Sequence, residues 1–78
     1  AQICAALRAA GEAQSPAAAE LAMSTLLMDA GLQVQYAVVR QAATLTPMPN
    51  DWRERSIAGR ALVAVVLGPV RLIDNAPW

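Results

Sequence analysis

Ala61-Leu-Val-Ala-Val-Val-Leu-Gly-Pro-Val-Arg-Leu-Ile-Asp-Asn75 is the stretch that decides how this chain folds. Seven apolar residues rich in valine run from Ala61 to Leu67, Gly68-Pro69 interrupts them, and Val70 to Ile73 resumes the pattern. β-Branched side chains pack well on a pleated surface and Gly-Pro is turn chemistry, so the stretch predicts a β-hairpin. A buried helix of the same composition would be stopped by Pro69 after about two turns. A two-residue turn sets Leu67 opposite Val70, Val66 opposite Arg71 and Val65 opposite Leu72. Directly opposed residues project to the same face. Leu67, Val70, Val65, Leu72 and Val63 then form one apolar face, the expected seat for helices.

The other face carries Leu62, Ala64, Val66 and Ile73, with Arg71 as its charge near the turn. Two helices cover one side of a small sheet but hardly both. An uncovered aliphatic patch marks a partner surface, so these five residues are the candidate interface. The alternative is that the loop Asn50 to Ser56, with Trp52, folds over them.

Upstream of the hairpin, Leu32 to Val39 alternates, with Leu32, Val34, Tyr36 and Val38 on one face and Gln33, Gln35 and Ala37 on the other. This is the period of a half-buried strand. Pro47-Met-Pro49 then prevents regular pairing, and Asn50 to Ser56 is a polar loop with room for one helical turn. That loop carries four of the chain's twelve charges.

The first thirty residues read as two helices. Ala1 to Gln14 has strong helix formers, with Ile3, Leu7 and Ala10 on one face and Arg8 and Glu12 spaced to pair, although Gly11 weakens it. Ser15-Pro16 is a restart, serine capping the first turn and proline occupying its first position. The second helix runs to about Ala30, with Gly31 as the left-handed residue after it. Ala17, Leu21 and Met28 lie near one stripe, widened by Ser24 and Leu27, and Met23 and Met28 read as core filler. Helices grouped ahead of strands predict an α+β fold, two helices packed on an antiparallel sheet of about three strands.

Seventy-eight residues make one domain, 1–78, whose core is small and whose stability is thin. Six arginines balance six acids, with no Lys and no His, so nothing suggests a nucleic acid or an anionic membrane as partner. The single Cys4 excludes an internal disulfide and is expected to be a small buried filler. No apolar run approaches the roughly 20 residues that span a bilayer, and no basic segment precedes one as in a secretory signal. The start at Ala1 without Met suits a processed product or excised domain, and a cytoplasmic origin is expected.

Chemistry-bearing constellations are lacking. Without His, acid–base work would fall to paired carboxylates, yet the six acids are scattered. Glu12 and Glu20 are expected in water, and Asp51 and Glu54 in a solvated cluster. Asp74 reads as a strand-end carboxylate accepting backbone or arginine hydrogen bonds. The glycines at 11, 31, 59 and 68 stand alone, so no phosphate cradle forms, and metal-ligand spacing is absent. The residues offer no catalytic, cofactor-binding or metal site.

Leu67-Gly68 followed by Arg71-Leu-Ile-Asp-Asn75, with Gly59-Arg-Ala-Leu-Val-Ala before it, resembles the C-terminal signature of pantothenate synthetases. Tyr36-Ala-Val-Val-Arg-Gln-Ala-Ala-Thr-Leu45 resembles that family's preceding segment at about the right distance, and the likeness continues more weakly through the helices. The resemblance implies the C-terminal domain of an ATP-dependent ligase that joins pantoate to β-alanine through an acyl-adenylate. In that family a Rossmann-like N-terminal domain, carrying His-x-Gly-His and Lys-Met-Ser motifs, does most of the chemistry, and the C-terminal domain mainly covers its cleft. Neither motif is present here. Ala22-Met23-Ser24-Thr25 echoes the second only superficially, without Lys and mid-helix.

No catalytic residue therefore carries over, and the chain alone is expected to be inactive. ATP and Mg2+ are implied for the intact ligase only. The implied partner is the N-terminal catalytic domain, and the isolated chain is expected to form a homo-oligomer. The sequence departs from the family pattern at Gln35 in Val34-Gln35-Tyr36, at Val66 and at Pro69-Val70. A related amide-forming ligase with another substrate, or a free-standing interaction module, stays open as an alternative.

Overall fold

Helix α1 (Gln2–Gly11) and helix α2 (Pro16–Asp29) precede strands β1 (Gln33–Gln41), β2 (Gly59–Leu67) and β3 (Val70–Pro77) in the computed structural model, which describes residues 2–78. The strands form one antiparallel sheet in chain order. The fold is α+β, as the grouping of helices ahead of strands predicts. α2 lies mainly on β1, and α1 reaches β2 and β3.

Each break has a local cause. α1 stops at Gly11, short of Gln14, and the Ile3, Leu7 and Ala10 face does turn inward beside buried Ala6. Arg8 and Glu12 are both exposed and form no ion pair. Ser15 is extended, and its Oγ accepts the Ala18 N–H at 3.1 Å. Ser15→Ala is expected to lower stability by about 1 kcal/mol, read as a shift of the urea midpoint. Past α2, Gly31 takes φ +84°, and Leu32 N–H returns to Leu27 O.

The hairpin register agrees with the sequence expectation pair for pair: Leu67 faces Val70, Val66 faces Arg71 and Val65 faces Leu72. Gly68, at φ +60°, occupies the first turn position, where a two-residue turn needs a positive φ. The inward face is only half covered. Ala61, Val63 and Val65 are buried under the helices, whereas Leu67, Val70 and Leu72 run past them into solvent.

Two face assignments are corrected. The buried stripe of α2 is Pro16, Ala19, Met23 and Leu27, not Ala17, Leu21 and Met28. Leu21 is 68% and Met28 63% exposed. The helix is apolar nearly all round, so residue type does not mark the side that packs. In β1, the alternation breaks at a bulge between Val34 and Tyr36. The extra residue, Gln35, resets the phase, so Val34, Ala37 and Val39 point to the core while Tyr36 and Val38 point away.

The segment between β1 and β2 packs at one end of the helix-side core through Met48, Trp52 and Ile57. Its polar part makes one α-type turn, with Arg55 N–H donating to Asp51 O at 3.1 Å. Trp52 packs against Trp78 with ring centroids 4.6 Å apart and planes tilted by 53°, and the Trp78 Nε1–H donates to Ala10 O at 2.6 Å. Trp78 also exchanges backbone hydrogen bonds with Gly59, at 2.9 and 3.3 Å. A Cβ on Gly59 would stand 2.5 Å from Met48 Cε and 3.0 Å from the Trp78 ring, so a larger residue here requires the flexible Met48 methyl to move aside and the indole to give slightly. Sequence inspection alone did not single out Gly59 or Trp78.

Candidate functional site

The outer side of the sheet, which no helix covers, is the surface on which the candidate interface residues come together. Its rows follow from the register. Gln33, Val66 and Arg71 form one row, Tyr36, Ala64 and Ile73 the next, then Val38, Leu62 and Asn75, and finally Arg40, Arg60 and Pro77. All five candidate interface residues, Leu62, Ala64, Val66, Arg71 and Ile73, therefore share one face. Ile73 is 58% and Tyr36 37% exposed, while Ala64 is fully buried between them. Trp52 does not cover this face, because it is held against Trp78 on the helix side.

Polar groups at both ends of the strip are held in place. The bulge turns Gln35 toward this face, and its Oε1 accepts the Arg71 Nε–H at 2.6 Å. At the other end, Asn75 Oδ1 accepts Arg60 Nη1–H at 2.7 Å. Sequence reading missed Tyr36, Gln35, Asn75 and Arg60 as members of this surface. The first two were hidden by the bulge. Arg60 and Asn75 are diagonal neighbours, and their common face follows from the hairpin register.

Other expectations for single residues divide. Asp74 Oδ1 accepts the N–H of Asn75 at 2.8 Å, the strand-end role expected of it. Glu20 is not in open water. It is half-buried on α2, accepts the Val39 N–H at 2.8 Å and lies 3.5 Å from Arg40 Nη1, because β1 is an edge strand with an amide to satisfy. Cys4 is exposed rather than buried, since α1 turns Ala6 and Ala10 inward instead. Asp51 pairs with Arg55 at 3.5 Å within their loop, and both remain exposed.

Among the described residues, no group of three or more His, Cys, Asp or Glu side chains gathers to hold a metal ion, and no pocket opens. No helix among them is long and apolar enough to cross a membrane. What the surface can do is present an apolar strip whose polar ends are held by hydrogen bonds.

Comparison with known proteins gives the chain a family. No curated protein matches it. The family model described as pantoate-beta-alanine ligase matches residues 1–77. With that match running through both helices and all three strands, the chain belongs to the pantoate–β-alanine ligase family.

Proposed function

We propose that this domain is the C-terminal cover of a pantoate–β-alanine ligase, closing over a catalytic half that binds ATP and Mg2+ and forms the acyl-adenylate. The observation that carries this reading is an uncovered apolar sheet face in a domain that matches the family over residues 1–77. Its own side chains supply no nucleophile–base pair and no metal-ligand cluster among the described residues, so its part is to exclude water and hold the closed form. We place the ligase in the cytoplasm. The alternative reading is a protein-interaction module that works without a catalytic half.

A domain exchange separates the two. This chain would replace the corresponding domain of a pantoate–β-alanine ligase, and ATP-dependent condensation of pantoate with β-alanine would be measured. The free chain is expected to show no turnover, the ligase lacking the domain little, and the exchanged ligase at least tenfold more than the truncated one. An exchanged ligase that folds but is no faster than the truncated one would replace the cover reading with the module reading.

A further inference from the structure

The chain is neutral as a whole, yet its charges are sorted. Arg40, Arg60 and Arg71 lie on the uncovered face. No acid does: Glu12 follows α1, Glu20 and Asp29 belong to α2, Asp51 and Glu54 to the loop, and Asp74 projects to the opposite face of the sheet. Arg40 is compensated by Glu20. Among the described residues, Arg60 and Arg71 meet no carboxylate within ion-pair distance. Each is held instead by a neutral amide oxygen, from Asn75 and Gln35 respectively. An amide acceptor uses one N–H, aims the guanidinium and leaves its charge and most of its donors unspent.

Two further features set this face apart from an ordinary solvated one. Arg60 stands directly opposite Arg40 across β1 and β2, an arrangement that is destabilising in itself. The bulge at Gln35 brings in the acceptor for Arg71, and bulges often serve to re-aim a side chain. Arg60 pairs with Pro77, six residues along β3 from Arg71, so the two cationic ends lie roughly 20 Å apart at about 3.4 Å per residue.

We propose that this face docks, through Tyr36, Val38, Leu62, Val66 and Ile73, on an apolar protein surface flanked by carboxylates that receive Arg60 and Arg71. The occupant is the catalytic half of the ligase, and in this the inference rests on the cover-domain reading. A span of roughly 20 Å is too long for one small anion to bridge. A second copy laid face to face would bring uncompensated arginines against arginines. An anionic bilayer would be held by only two free cations and short side chains, too little for anchoring.

Thiol labelling tests the proposal. In a Cys4→Ser background, Ile73→Cys is compared between the free chain and an otherwise thiol-free ligase carrying this chain as its domain, with Leu21→Cys as reference. We expect Ile73→Cys to label at least tenfold more slowly in the active ligase, and Leu21→Cys at the same rate in both. Arg60→Glu with Arg71→Glu should bring the Ile73→Cys rate back to within threefold of the free chain. Arg60→Glu alone trades the Asn75 hydrogen bond for relief of a repulsion that Glu20 already offsets, so it should leave the Tm of the free chain nearly unchanged while loosening docking. A purely structural role would move both in one direction.

Equal Ile73→Cys rates in an active exchanged ligase would overturn this inference and leave the cover reading standing. Slow labelling of Leu21→Cys with fast Ile73→Cys would move the interface to α2 and overturn it likewise. An inactive exchanged ligase would remove the cover reading and this inference together. Concentration-dependent protection in the free chain, or protection by phosphatidylserine vesicles, would identify a second copy or a membrane as the occupant and reject the proposal.

Discussion

Trp78→Ala is expected to lower the stability of the domain by about 3 kcal/mol, near the lower end for loss of a buried tryptophan, since Trp78 is half-buried. Three elements meet on its side chain: the indole of Trp52, the close approach of Gly59 in β2, and Ala10 O near the end of α1. At roughly 0.05–0.15 kcal/mol per residue, a domain of 78 residues holds roughly 4–12 kcal/mol in total, so the loss is a quarter or more. Trp78→Phe keeps a six-membered ring on Trp52 but loses the Nε1–H donor and part of the indole surface, for about 1–2 kcal/mol. Urea unfolding followed by far-UV circular dichroism checks both. A Trp78→Ala midpoint within about 0.5 kcal/mol of the parent would mean that this corner contributes nothing to the core.

The second large effect is expected on α2. Met23→Ala should cost about 3 kcal/mol, because Met23 is fully buried between α1, α2 and the sheet. Leu21→Ala and Met28→Ala should each change stability by about 0.5 kcal/mol or less, since both side chains already meet solvent. Parallel thermal or urea melts of the three variants decide it. A destabilising Leu21→Ala beside a neutral Met23→Ala would rotate the helix onto its other side.

That contrast shows where the sequence was legible and where it was not. The hairpin could be read to the residue because Gly68-Pro69 admits one tight turn, and one turn admits one register. The boundaries of α2 followed from Ser15-Pro16 and Gly31, which act within a few residues, whereas α1 ends at Gly11 rather than Gln14. The inward side of α2 could not be read, because Leu21, Met23, Leu27 and Met28 are equally apolar and only tertiary packing chooses among them. Nor could the bulge, since Gln33, Gln35 and Tyr36 continue an alternating pattern that one unpaired residue shifts. Glu20 illustrates the same limit. Its partner, the Val39 amide, lies nineteen residues away and becomes an unsatisfied donor only once β1 is an edge.

The candidate surface was legible to the same extent. Leu62, Ala64, Val66, Arg71 and Ile73 come from the hairpin, so their common face followed from the turn. Its β1 side did not, because the phase of β1 depends on Gln35.

The two rims of the sheet differ in a way that bears on assembly. Along β1, the bulge, the Glu20 carboxylate on Val39 N–H and the Thr46 carbonyl on Gln41 N–H leave little regular ladder for another strand. β3, from Val70 to Pro77, is the other rim, with no neighbouring strand. Strand addition can therefore propagate in one direction only. Two copies joined β3 to β3 about a twofold axis would bury both open rims and present only blunted ones outward, so growth stops at a pair. A rim interrupted by a bulge and capped by a carboxylate is a poorer template for cross-strand growth than a regular one.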